Sequence, residues 1–137
     1  MVDSNGPNDG RMRIPPLSAF EESAQFTRAI RVGDRIIVSG NIGVEADGTI
    51  SPDAGRQAQR CFELILDYIA QLGGQSGDVV RVRMFVTDIA DAVAVTNAFT
   101  AAVGHARPAG TLVAISALAG PAFKVEIEAE AIVGAGQ

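Results

Sequence analysis

Tryptophan is absent from this 137-residue chain, and tyrosine, histidine and cysteine occur once each. The lone cysteine, Cys61, excludes an internal disulfide framework and fits a reducing compartment. The lone histidine, His105, has no second histidine, paired cysteine or carboxylate at ligand spacing, so no metal site is expected and no cofactor is implied. Positive charge is scarce too. Lys and Arg number 11 against 16 Asp and Glu, giving a formal net charge of −5 and an isoelectric point near 4.7. No run of Lys and Arg exceeds two residues, which speaks against nucleic acid as a partner. Also missing is any stretch of the roughly 18–20 apolar residues that span a bilayer, and the N-terminus shows no basic-then-apolar signal pattern. The expectation is a cytoplasmic protein with neither a membrane nor a nucleic-acid partner. The glycine clusters "GG" and "GAG" lack the strand–GxGxxG–helix setting of a nucleotide site.

What is present is the composition of a globular domain, 47% hydrophobic and 20% charged, at a length that suits one domain with a real core. Residues 1–16, "MVDSNGPNDGRMRIPP", hold little to bury and are expected to form a flexible tail, with residues 17–137 as the domain. "QFTRAIRVGDRIIVSGN" predicts two strands about a tight turn at Gly33-Asp34. "SPDAGRQAQRCFELILDYIAQLGG" predicts a helix started by Ser51 or Asp53, with Pro52 in its first turn and Gly73-Gly74 as its stop. Ala58, Cys61, Phe62, Ile65, Ile69 and Leu72 recur along it at helical spacing, so Cys61 reads as a small buried hydrophobe rather than a nucleophile. "DVVRVRMFVTDI" alternates, with Val80, Val82, Met84 and Val86 on one face and Arg81, Arg83, Phe85 and Thr87 on the other. "DAVAVTNAFTAAVG" predicts a second helix with Val95, Phe99, Ala102 and Val103 inward and Gly104 as its stop. "GTLVAISAL" and "FKVEIEAEAIV" complete a β-β-α-β-α-β-β order. That order predicts an α+β domain, a mixed sheet with two helices on one face.

The last strand carries the most information. Val125, Ile127, Ala129 and Ala131 are expected to face the helices, which turns Lys124, Glu126, Glu128 and Glu130 to the other side, where Arg81 and Arg83 of another strand also lie. Such a face is either solvated, as is common in antiparallel sheets, or part of a subunit contact. Apolar residues mixed among the charges, Phe85 and Ile132 with those of "TLVAISAL", favour the contact and predict a homo-oligomer.

Five segments, "FTRAIRVGDRIIVSGNIG", "QAQRCFELI", "DVVRVRMFVTDIAD", "RPAGTLVAISAL" and "VEIEAEAI", together resemble the RidA/YjgF family over about residues 19–133. Those proteins are reactive-intermediate deaminases, also labelled endoribonuclease L-PSP or translation inhibitors. The resemblance implies a chorismate-mutase-like α+β fold, a homotrimer, and a small-molecule ligand held in clefts between neighbouring subunits.

The resemblance also implies site residues. In the active deaminases an arginine at the start of the penultimate strand clamps the substrate carboxylate, in a Pro-Ala-Arg motif that here reads Pro108-Ala109-Gly110. Losing a desolvated, charge-assisted contact of that kind costs about 2–5 kcal/mol. Arg107 either swings toward the cleft in compensation or stays a locally bonded loop arginine, and Thr111 follows at the mouth of the strand. Ser39-Gly40 matches the family's Ser-Gly at the end of the second strand, although a strand-ending turn would read the same way. Phe26 stands where a tyrosine is common, and Thr96, beside Asn97, where an asparagine is common. Glu126 matches the glutamate that positions or activates water by accepting its proton; an interface ion pair with an arginine suits it equally. His105 reads as a partner for a helix C-terminal dipole rather than a catalyst.

Three functions follow. The first is cofactor-independent hydrolysis of an imine or enamine to a carbonyl and ammonia, with a neutral or bulkier substrate favoured over a small 2-imino acid because the clamp is missing. The second is non-catalytic binding of a small metabolite. The third, ribonuclease or translation inhibitor, comes from the label alone and is opposed by the acidic charge.

Overall fold

The computed structural model describes residues 1–3 and 6–137. Strands β1 (Met12–Ile14), β2 (Ala29–Val32), β3 (Arg35–Ile42), β4 (Val79–Val86), β5 (Ala109–Ala114) and β6 (Val125–Ile132) form one sheet in the order β1-β2-β3-β6-β4-β5. All neighbours run antiparallel except β4 and β5, which are parallel and therefore joined through a helical crossover. Helices α1 (Ala19–Ala24), α2 (Ala54–Gln71) and α3 (Ala92–Val103) complete the domain, and the sheet is mixed as the element order predicts.

The period-2 and period-3.6 patterns meet in one core. Ile36, Val38, Val82, Val86, Val125, Ile127 and Ala131 turn inward from the sheet, toward Ala58, Cys61, Phe62, Ile65 and Ile69 of α2 and Val95 of α3. Each large side chain so buried contributes about 1.5–3 kcal/mol. Both of the long helices thus lie on the sheet face that the alternation of β6 assigns to them.

Five local differences from the sequence expectations have physical reasons. Met12–Ile14 lies within the stretch expected to be a tail, yet it pairs with β2 from Met12↔Arg31 to Ile14↔Ala29 and buries Ile14. The polar majority of residues 1–16 hides this short run, which gains ladder hydrogen bonds and a place in the core. Helix α1 was absent from the predicted order; Ser18 and Glu21 start it with a reciprocal capping box. In β4 the inward residue is Val79 rather than Val80, because an irregularity between Val79 and Arg81 shifts the alternation by one. Asp53 caps α2 through Gly55 N, so Pro52 precedes the helix instead of opening it. At the other end of α3, Gly104 stays right-handed and continues into a 3₁₀ turn, and Arg107 takes the left-handed position at φ 47°.

The start of β6, and with it Glu126, is located by a buried amide. Gln57 of α2 is fully enclosed; its Nε2 donates to the carbonyls of Ser51 (2.7 Å) and Ala122 (3.0 Å), and its Oε1 accepts from Lys124 N (2.9 Å). Substituting Gln57→Leu strands two acceptors and one donor. The expected loss is about 2–4 kcal/mol of unfolding free energy, since each buried unsatisfied group costs about 1–3 kcal/mol. Urea denaturation checks it, and an unchanged midpoint would mean the amide does not hold this junction.

Candidate functional site

Register along β3 breaks between Val38, which faces Ala129, and Asn41, which faces Ile127. Ser39 and Gly40 therefore share the single partner position Glu128, a bulge of the kind that re-aims side chains. Beyond it, Asn41 points into the core and Ile42 pairs with Glu126. The carboxyl of Glu126 lies directly over Gly40: a Cβ there would come within 2.9 Å of Glu126 Cδ and 3.1 Å of Oε1. Glycine is needed here for space, since its φ is not left-handed.

Next to the bulge, Arg28 is almost completely buried. One of its terminal nitrogens, Nη1, donates to Glu21 Oε1 at 2.6 Å; the other, Nη2, donates to the Gly40 carbonyl and to Asn41 Oδ1. Glu21 in turn accepts from the amides of Leu17 (2.7 Å) and Ser18 (3.1 Å). Ser39 donates its hydroxyl proton to Thr27 O at 2.7 Å, leaving its oxygen lone pairs available. The chain from Thr27 to Asn41 is thus held by side chains as well as by its ladder.

These groups border a hollow of about 730 Å³. Leu17, Phe20 and Phe26 line its apolar side, with Leu64 and Tyr68 from α2, while Ser39, Gly40, Asn41, Glu126 and Glu128 line its polar side. Phe20 and Phe26 stand edge to face, with centroids 6.1 Å apart. Four carboxylates and two guanidinium groups reach its wall. Glu21 is paired with Arg28, Glu45 with Arg56 and Glu128 with Arg83. Among the described residues no hydrogen bond or ion pair reaches the Glu126 carboxylate. Burial pushes the carboxyl of Glu126 above the ordinary glutamate value, Arg28 partly offsets this, and Glu128 adds to it. Glu21 shows the opposite balance: burial raises it, but the Leu17 and Ser18 amides and Arg28 together hold it low.

Of the residues singled out in the sequence, Phe26, Ser39, Gly40 and Glu126 meet at this hollow. Thr96, Arg107, Gly110 and Thr111 do not line it; all four are exposed, on α3 or along β5 and the turn before it. Gly110 pairs in parallel with Val82, an inward residue, so a side chain at 110 would project on the helix side of the sheet, where only the Phe99 ring comes near, at 3.8 Å. Glu126 lies on the opposite face. Within one chain, therefore, position 110 and Glu126 are not neighbours, and Arg107 does not swing to the hollow. Within the chain the outer face pairs Arg83 with Glu128 (3.0 Å) and Arg35 with Glu130 (2.8 Å).

Cys61 is buried as expected; its thiol faces Asn41 O at 3.1 Å and burial pushes it up to about 12. His105 meets Ser76 Oγ through Nε2 at 3.1 Å, so its partner is the turn before β4. Arg28 and Glu21 were not foreseen, although "SAFE" at 18–21 is a capping-box pattern that could have placed α1. Among the described residues no three of His, Cys, Asp and Glu cluster as a metal would need, and no helix is long and apolar enough to cross a membrane.

A family model described as Endoribonuclease L-PSP matches residues 16–133. The chain is 32% identical to the RutC family protein YjgH of Escherichia coli, across 75% of this chain and 80% of that one. It is 29% identical to a 2-iminobutanoate/2-iminopropanoate deaminase of Salmonella typhimurium, across 78% of this chain and 86% of that one. Among solved structures, a member of the YjgF/YER057c/UK114 family from Mycobacterium tuberculosis matches with a TM-score of 0.82 at 33% identity, covering 90% of this chain and 99% of that one.

The contact between Gly40 and Glu126 makes a test of the site's geometry. Gly40→Ala is expected to lose about 1–3 kcal/mol by overpacking, and Glu126→Ala in the same chain should recover most of that loss. A double-mutant cycle from denaturation curves measures the coupling; strictly additive losses would show that the two residues do not touch.

Proposed function

The chain belongs to the RidA/YjgF family, also described as endoribonuclease L-PSP, and on that premise we propose that its hollow hydrolyses the C=N bond of an imine or enamine without a cofactor. The observation that carries this reading is Glu126: a half-buried carboxylate with no hydrogen-bond or ion-pair partner among the described residues, pressed against bare backbone at the border of a hollow with one apolar side. Such a group can accept a proton from water at hydrogen-bond distance. The water oxygen then bonds to the imine carbon while the nitrogen gains a proton. Collapse of the resulting carbinolamine breaks the C–N bond and releases ammonia and a carbonyl. An enamine enters the same sequence after a proton moves to carbon. Ser39 and the backbone around the bulge shape the polar end, and Phe26 and Phe20 the apolar end.

The remaining candidates enter from a second copy of the chain. Residues of β5 are nearly all exposed, it is an edge strand, and its sequence "AGTLVA" is apolar apart from one threonine. An edge of this kind is normally covered. In a homotrimer each chain would offer Thr96, Arg107, Gly110 and Thr111 to the hollow of its neighbour, making equal clefts by symmetry. With Gly110 at the clamp position such a cleft has no arginine there for a substrate carboxylate, so a bulkier imine, or one without a carboxylate, fits it better than a small 2-imino acid.

Gly110 also favours a second reading, in which the cleft binds a metabolite without turnover. The ribonuclease reading stays last, since the net charge of −5 and the carboxylate-rich wall oppose a phosphate backbone.

Ammonia release from a panel of enzymatically generated imines separates the first two readings. Acceleration over buffer is expected, with Glu126→Gln reducing it by about 100-fold or more; no acceleration for any imine would leave only binding. Activity should fall as pH drops through the raised value of Glu126, because the general base must be ionised, and so at a higher pH than for an ordinary glutamate. Burial is the main cause of that shift; Arg28 opposes it, and Glu128, two residues along the same strand, adds to it.

Clefts shared between chains predict complementation. Chains carrying Glu126→Ala and chains carrying Gly110→Trp are each expected to be inactive. Unfolded and refolded together in equal amounts, they should regain about a quarter of the native activity, the share of clefts with both halves intact in random assembly. No recovery would place both halves of the site in one chain.

A further inference from the structure

We propose that the ligand of the hollow is an apolar cation: an iminium derived from a primary amine, carrying no carboxylate. This rests on reading the hollow as the ligand cleft, and it names the charge of the molecule bound there.

The cations of the wall are already committed. Arg28 and Glu21 form a contact at 2.6 Å with side-chain exposures of only 8% and 11%, and Nη2 of Arg28 is spent on Gly40 and Asn41. A ligand carboxylate could recruit this guanidinium only by displacing Glu21 into a nearly dry position, which leaves a buried anion unpaired. Arg60 donates to Val44 O at 2.9 Å and faces Glu63 at 3.2 Å. Glu128 is balanced by Arg83 at 3.0 Å. After these pairs are subtracted, the charge left facing the hollow is the carboxylate of Glu126.

The rest of the wall suits the body of such a molecule. Phe20 and Phe26 meet edge to face, an arrangement that leaves ring faces open, and they are 72% and 40% exposed. Leu17 extends the same apolar side. Aromatic rings pack against the apolar body of either ion, whereas a ligand anion would meet Glu126 with no free guanidinium of the same chain to compensate and lose binding by like-charge repulsion. A protonated imine also places its positive C=N group beside the one carboxylate able to orient water toward it. Hydrolysis of that cation balances as iminium plus water giving carbonyl plus ammonium.

Two nearly isosteric probes of opposite charge test this on the full-length protein: phenethylammonium and 3-phenylpropionate, titrated by calorimetry at equal ionic strength. The cation is expected to bind about tenfold tighter or more. Glu126→Gln, which keeps the shape and removes the charge, should abolish the preference. Phe20→Ala should weaken both probes while leaving the preference in place. Equal or tighter binding of the anion, no measurable binding of either probe, or a preference that survives Glu126→Gln would each overturn the proposal. Its failure is distinct from failure of the deaminase reading. Ammonia released from imino acids by a protein that prefers the anion sinks only the charge assignment; cation selectivity without ammonia release sinks only the hydrolysis.

Discussion

Arg28 is a cation taken almost entirely out of water, and the shape of the cleft follows from satisfying it. Removing such a charge from solvent costs several kcal/mol unless partners surround it. Here the partners come from α1 (Glu21), from the bulge (the Gly40 carbonyl) and from the core side of β3 (Asn41). Each bond also fixes a wall. Glu21 brings α1, and with it Leu17 and Phe20, to the mouth of the hollow, while the bond to Gly40 holds the bulge on which Glu126 rests. An apolar residue of similar volume could fill the space at little net loss of stability, but it would leave the bulge and the helix without a common tie. The network therefore bears on geometry more than on stability.

Where a pattern is local and repetitive, the sequence carries it well. The alternation of β6 correctly separates Val125, Ile127 and Ala129 from Glu126 and Glu128, and the stripe along α2 identifies the fully buried Cys61, Phe62 and Ile65. It fails where one residue breaks the period or where burial depends on a distant partner. Val79 takes the place expected for Val80 because β4 carries one extra residue between Val79 and Arg81 against a regular β6, which shows only once the two strands are paired. Arg28 sits in a stretch that reads as an ordinary polar-apolar strand, and nothing nearby announces that Glu21, seven residues earlier, will accompany it into the interior. Half of the candidate site was legible as a cluster for a related reason. Phe26, Ser39, Gly40 and Glu126 are brought together by strands that pair within the chain, whereas Thr96, Arg107, Gly110 and Thr111 lie along an edge that no local pairing completes.

That edge would give the proposed assembly its physical motive. The outer face of the sheet neutralises most of its own charge across strands, through Arg83 with Glu128 and Arg35 with Glu130. Ion pairs already made within a chain are poor adhesive between chains, so they are not what would draw copies together. The unsatisfied features are apolar and backbone groups: the exposed residues of β5, its open hydrogen-bonding side, and the rim formed by Leu17, Phe20 and Phe26. In the proposed trimer a contact that covers β5 would remove an aggregation-prone edge and close the hollow of the neighbouring chain. Under that proposal, oligomerisation and formation of a site would be one event.

The glycine at position 110 has to be weighed in that setting. An arginine there would project on the helix side of its own sheet, away from its own Glu126, and could oppose a carboxylate only across a subunit boundary. A cleft holding both groups is electrically balanced and can accept a ligand that carries an anion. On the proposed reading, glycine there does more than leave volume; it shifts the charge a ligand meets from balanced to negative. Arg28 does not restore the balance, because its charge is already answered by Glu21 inside the same chain. On the proposed reading, Gly110 bears on the charge of the ligand more than on one contact, and the aromatic pair at the mouth suits a ligand of that kind.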